Sequence, residues 1–295
     1  MTRIDVSPAT WQPLGGVPCE KLAETRLELH WALQIVGAPP LAFLEHTPDF
    51  SHANLGWVPD DATFVTRRVG ASQAIRVGLE VVDFRLVIRA DADAVVGALP
   101  LEGTTLDEGY GWMAEMMGQY GVGDVDAAAL HRPERDFPAH PVRTGAPFTG
   151  GDPQAREELA RWYDNALLLL SGVAREHGNA SPVRTWPHHF DMAILLTLEP
   201  AEDPERMRSV GVGMTPGDAS YAEPYLYAAP WPVPTRSKPL PSLDGGGTWH
   251  TEGWVGPVLR CSRLVEAGSD PAAQAEQARA FLASALPAAH ALAGG

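Results

Sequence analysis

The sequence predicts an α+β fold, antiparallel sheets with flanking helices, on three observations. Extended segments come in runs instead of alternating one by one with helices. The runs are rich in β-branched residues and broken by turn signals such as Asp60-Asp61, Gly70-Ala71 and Asp91-Ala92. Helical periodicity is confined to a few segments that flank the runs.

In chain order, residues 1 to 18 carry proline, glycine and serine without periodicity and read as an N-terminal arm that packs through Trp11. From Cys19 to Gly37, Leu22, Arg26, Leu29, Leu33 and Val36 recur at helical spacing, and Gly37 followed by Pro39 and Pro40 supplies a stop. "LAFLE", "ATFVTRRV", "AIRVGLEVVDFRLVIRA" and "AVVGALPL" then predict a meander with hairpin turns. "TLDEGYGWMAEMMGQYG" has a helical pattern weakened by its glycines. The stretch 122–150, with Pro133, Pro138, Pro141 and Pro147, reads as an irregular linker or lid.

The second half repeats the order. Asp152 and Pro153 suit the cap and first turn of a helix whose apolar face is Leu159, Trp162, Ala166, Leu170 and Val173, ending near Gly178. Strands are expected at 189–199, 208–215, 223–229 and 253–260, with the glycine-rich loop "LDGGGTWH" inserted before the last. A closing helix starts at Asp270 and Pro271 and presents Ala275, Ala278, Phe281, Leu282 and Leu286. Two α+β halves, 19–121 and 151–295, are thus expected within one compact unit, and their common order suggests an internal duplication.

A chain of 295 residues with 45% hydrophobic and 20% charged residues can bury a substantial core. Its formal charge of −15 repels a phosphate backbone or an anionic membrane surface, which argues against nucleic acid and membrane partners. Cys19 and Cys261, far apart and without CxxC spacing, are expected to be buried thiols. The N-terminus has no charged-then-apolar signal pattern and no apolar run approaches the length of a membrane span, so a cytoplasmic protein is expected. GxSxG, GxxxxGK[ST] and HExxH are absent.

The candidate chemistry centres on "TWPHHFDMAILLTLEP", 185–200. If 189–199 is a strand, His189 and Asp191 point the same way, roughly 6.5 Å apart. That spacing suits an acid/base pair or two ligands of a divalent metal ion, and His188 is a further donor only if Pro187 bends the chain. In "SVGVGMTPGDASYAEPYLYAAPWP", Gly211 and Gly213 leave one strand face bare for something large to approach. Asp218 sits at the exit of a Pro216-Gly217 turn, and Tyr221, Glu223, Tyr225 and Tyr227 alternate onto one face as an aromatic wall. On the first helix Arg26, His30 and Gln34 form a polar stripe, solvated or lining a cleft.

"ETRLELHWALQIVG", "SPVRTWPHHFDMA" and "TPGDASYAEPYLYAAPWP" resemble patches of a bacterial family of uncharacterised proteins, a domain of unknown function. The resemblance runs in patches over most of the chain and departs at Ala38, where the family carries lysine, and at the histidine pair. It implies a pocket role for His30, Gln34 and Asp191 and no particular activity.

Three readings stand side by side. In the first, an enzyme acts on a small polar molecule through Asp191, His189 and His30, with Arg26, Gln34, Asp218, Tyr225 and Tyr227 binding it, with or without a metal at His189 and Asp191. In the second, the same pocket binds a small molecule without catalysis. In the third, a homo-oligomeric scaffold uses Trp231, Trp249 and Trp254 as contact surfaces.

Overall fold

The computed structural model describes residues 11–70, 75–90, 93–120, 122, 126–127, 130, 137–201, 206–234, 239–266 and 268–294. It is α+β with two antiparallel sheets, as the runs of strands require. The chain divides into two compact units that interleave in sequence. An N-terminal unit comprises Glu24–Ala160 and Arg184–Phe190, and a C-terminal unit comprises Met1–Ala23, Arg161–Val183 and Asp191–Gly295.

In the N-terminal unit, helix α1 spans Ala23–Phe43. Glycine and proline do not stop it at residue 37: Pro39 and Pro40 lie inside the helix, both buried, and Leu44 N donates to Pro40 O (3.1 Å) to close the final turn. Gly37 serves packing, since a Cβ there would stand 3.1 Å from the Pro187 ring. "LAFLE" is accordingly the end of a helix and not a strand. The sheet is the expected meander, in the order β1 (Gly56–Val58), β2 (Thr63–Val65), β3 (Arg76–Glu80), β4 (Arg85–Arg89) and β5 (Val95–Pro100).

Helix α2, Leu106–Gln119, starts with a reciprocal capping box between Thr105 and Glu108. Its Gly109, unfavourable for a helix, packs against α1: a Cβ would meet Ile35 Cδ1 at 2.6 Å and oblige that side chain to shift. Part of the expected linker or lid lies outside the described residues. Its described end is tied down, with Pro147 bridging to Thr105 and Phe148 to Glu102. Thr149 N, Thr149 Oγ1 and Gly150 N all donate to the buried carboxylate of Glu28, at 2.9, 2.8 and 2.7 Å.

Helix α3, Pro153–Glu176, starts where Asp152 and Pro153 indicate. The short strand β6, Arg184–Trp186, belongs to the N-terminal unit, where Thr185 bridges to Leu55.

The C-terminal unit holds β7 (Asp191–Glu199), β8 (Arg208–Thr215), β9 (Tyr225–Trp231), β10 (Thr248–His250) and β11 (Gly256–Arg260), ordered β10-β11-β9-β8-β7. The insertion of β10 outside β11 departs from the sequential order of the first sheet, so the two halves share a list of elements and not a strand order. Helices α4 (Cys261–Val265) and α5 (Pro271–Ala293) complete the unit, and α5 packs on β9, β8 and β11 through Ala275, Ala278, Phe281 and Leu282. The glycine loop serves this packing: a Cβ on Gly245 would lie 2.3 Å from Gln277 O of α5.

The arm packs through Trp11 as expected. Trp11 Nε1 and Leu14 N donate to Oε1 of the buried Gln274 (3.3 and 2.9 Å), whose Nε2 donates to Leu14 O and Gly268 O, both at 2.9 Å. Cys19 and Cys261 correct the expectation of free thiols: they form a disulfide, because the arm returns to the start of α4. Sequence spacing says nothing about such a long-range approach.

Candidate functional site

Helix α1 is buried on nearly every face, so Arg26, His30 and Gln34 form no solvated stripe. Within the N-terminal unit His30 lies between Phe137 and Phe190, at ring separations of 4.6 and 5.2 Å. Its Nε2 stands 3.1 Å from Pro187 O, and since a carbonyl only accepts, that nitrogen carries the proton. Gln34 Nε2 donates to the same carbonyl (2.7 Å) and to His30 O (2.8 Å). Burial first, and then the Arg26 charge, hold the His30 pKa down to about 3. His30 is therefore neutral and fastens Pro187 to the helix, a different task from the acid/base role its position suggests.

Beside this fastening lies a cavity of about 460 Å³, lined in part by Gln34, His46, Phe50, His52, Phe137 and Trp186, with His188 at the rim. Its floor is buried at Gln34 and His52, while His46, Phe50 and His188 are exposed. Phe50, 47% exposed and with a left-handed backbone (φ 54°), sits among three imidazoles: His46 at 5.3 Å, His52 at 6.0 Å and His188 at 6.3 Å. His52 is 5% exposed. Its Nδ1 accepts from Thr47 N (3.2 Å) and lies 3.1 Å from Thr47 Oγ1, an arrangement that favours the ring proton on Nε2, and among the described residues Nε2 is buried without a hydrogen-bond partner. Burial, then the neighbouring His46, lower the His52 pKa, so its ring is neutral near pH 7.

The histidine pair does not lie on a strand. Pro187 opens a turn closed by His189 N and Phe190 N, both donating to Trp186 O (3.1 and 2.7 Å), and Phe190 takes a left-handed backbone (φ 59°). Strand alternation therefore begins only at Asp191, and the expected two-residue repeat from His189 to Asp191 is broken. His188 and His189 are exposed in the N-terminal unit, with rings 4.2 Å apart, whereas Asp191 starts β7 in the C-terminal unit. Desolvation against the cavity wall and the adjacent His189 lower the His188 pKa.

In the C-terminal unit the tyrosines are engaged with their own neighbours. Tyr227 OH donates to Asp191, and Tyr225 OH to Asp218 Oδ2 (2.7 Å). Asp218 Oδ1 accepts from Ser220 N and Tyr221 N (2.7 and 3.1 Å), which fixes the turn. Burial first pushes both tyrosine hydroxyls up, and the adjacent carboxylates add to it. Tyr221 and Glu223 precede β9: Tyr221 OH pairs with His250 Nδ1 (3.0 Å) and Glu223 accepts from Ser262 N and Oγ (2.6 and 3.0 Å). The large group that approaches Gly213 is Tyr227, its cross-strand partner, whose hydroxyl would lie 2.6 Å from an added Cβ.

Among the described residues two groups bring three metal-ligating atoms within 4.8 Å of one another, and neither contains His188, His189 or Asp191. In the first, Cys19, Glu223 and Cys261, the sulfurs are bonded to each other. In the second, Glu24, Glu28 and His140, His140 Nε2 pairs with Glu24 (3.0 Å) and Glu28 is taken up by Thr149 and Gly150. The cavity residues His46, Phe50, His52 and Trp186 went unrecognised at the level of sequence. The one available signal was "HTPDFSH", two histidines and an aromatic closely spaced in a stretch rich in turn formers. No family model, curated protein or solved structure matches the chain, so its function rests on its own geometry.

Proposed function

We propose that the protein binds a small, flat, largely apolar molecule in the cavity of the N-terminal unit, and that it acts as a binding protein. The observation that carries this reading is the cavity itself, about 460 Å³ and walled by aromatic and imidazole rings, within the usual range of roughly 300–1,000 Å³ for small-molecule sites. Its floor is pre-formed, because His30 and Gln34 fasten Pro187 before any ligand arrives. Stacking and burial supply the affinity, and neutral imidazoles supply orientation. The residues first suspected of catalysis support binding better: His30 is spent on a backbone carbonyl, and Asp191 receives the Tyr227 hydroxyl.

Calorimetric titration with naphthalene tests the reading. The unaltered protein is expected to bind it, and Leu41→Trp, which fills the cavity from its lining, is expected to abolish binding while leaving the melting temperature within a few degrees. Absence of binding, or equal binding by the variant, would overturn the proposal.

A further inference from the structure

We infer that the cavity selects neutral planar rings bearing a carbonyl-type acceptor, which His52 Nε2–H receives; the inference rests on the binding reading above. Three observations bear on it. The backbone amide of Thr47 can only donate, so its bond to Nδ1 (3.2 Å) favours the tautomer in which Nε2 is the donor of the ring, with Thr47 Oγ1 also 3.1 Å from Nδ1. That donor belongs to a residue 5% exposed and is buried without a partner among the described residues, a costly state that native proteins seldom leave unexplained. The residue lines the cavity, with the exposed His46 and Phe50 rings 5.0 and 6.0 Å from its own.

The same tautomer argues against a metal ion. To ligate through Nε2 the neutral ring would have to move its proton to Nδ1 and give up the Thr47 N–H bond there, keeping only Thr47 Oγ1 (3.1 Å) as a partner. An anion is also the weaker choice. The chain carries −15, and the pKa values of His52 and His188 are lowered, so the imidazoles offer dipoles and no full positive charge near neutral pH.

Coumarin, naphthalene and 2-naphthoate form a probe set of nearly equal shape. His52→Asn removes the far donor while its side-chain oxygen can still accept from Thr47 N–H. Coumarin is expected to bind His52→Asn about tenfold more weakly than the unaltered protein, the worth of one buried hydrogen bond, while naphthalene changes less than about twofold. In parallel, the His52 Nε2–H resonance in ¹⁵N-imidazole spectra of the unaltered protein is expected to move downfield with coumarin and not with naphthalene, a readout that needs no variant. Equal weakening of both probes, or no coumarin-specific shift, overturns the inference while leaving the binding reading in place. Tighter binding of 2-naphthoate than of coumarin overturns the neutral-ligand assignment, and binding of no probe at all removes both proposals.

Discussion

In the C-terminal unit Cys19 and Cys261 are joined across 242 positions of sequence, whereas the N-terminal unit draws residues 149–150 to α1 through a single buried carboxylate, Glu28. A cross-link acts largely by restricting the unfolded chain. A buried carboxylate acts only in the folded state, and only while every donor around it is matched. The polar clusters differ in a parallel way. The tyrosines at 225 and 227 give their hydroxyls to carboxylates of their own unit, while His52 keeps a donor unspent beside a cavity. Closed networks of the first kind serve stability, and an open one of the second kind leaves room for a ligand.

The contrast is tested hardest at the cross-link. Cys19→Ser with Cys261→Ser is expected to lower stability by up to about 5 kcal/mol, as the loop-entropy account gives for a loop of this length, measured by denaturant unfolding under non-reducing conditions. A loss under about 1 kcal/mol would mean that the C-terminal unit is closed by packing alone. Next comes Glu28→Ala, which strands three donors and is expected to cost about 3 kcal/mol, with Glu28→Gln costing about half as much because one acceptor oxygen survives. Equal losses for the two would show that the intact carboxylate matters there and side-chain volume does not. Tyr227→Phe, which removes the hydroxyl bond to Asp191, is expected to cost about 2 kcal/mol.

The last effect is spread over pH instead of falling in one step. His30 has a folded pKa of about 3 against an ordinary 6.5, so the unfolded chain takes up its proton first as pH falls. The stability it contributes is intact above about 6.5 and is lost toward 3, at no more than about 1.4 kcal/mol per pH unit. His30→Gln keeps a donor for Pro187 O and does not titrate. Its stability profile between pH 6 and 4 is therefore expected to be flatter than that of the unaltered protein, and parallel profiles would show that His30 is solvated.

What could be read from the sequence was what local rules control. Asp152-Pro153 and Asp270-Pro271 placed two helix starts, the β-branched runs placed both sheets, and Trp11 anchored the arm. Two of the misreadings share a cause, a local signal overruled by a distant partner, and a third came from the next residue. Gly37 resembled a helix cap until Pro187 packed against it, and Gly213 resembled an open face until Tyr227 filled it. His189 fitted the strand pattern, but the left-handed backbone of Phe190 reset the alternation. The contacts of His30, Gln34 and Asp191, with Pro187 O and the Tyr227 hydroxyl, could not be read from the sequence, because tautomer and partner are properties of the fold. The cavity escaped notice because its lining comes from separate stretches, 34–41, 46–53, Phe137 and 186–188.

That separation matters for biosynthesis. While a ribosome has delivered only the chain through Ala160, α1 and the whole first meander exist, yet the carbonyl that His30 and Gln34 grip has not been made. The wall bearing Trp186, Pro187 and His188 arrives after α3, so His30 Nε2 gains its acceptor only once that segment has been made. Its cavity can be finished only once the chain has left that unit and come back.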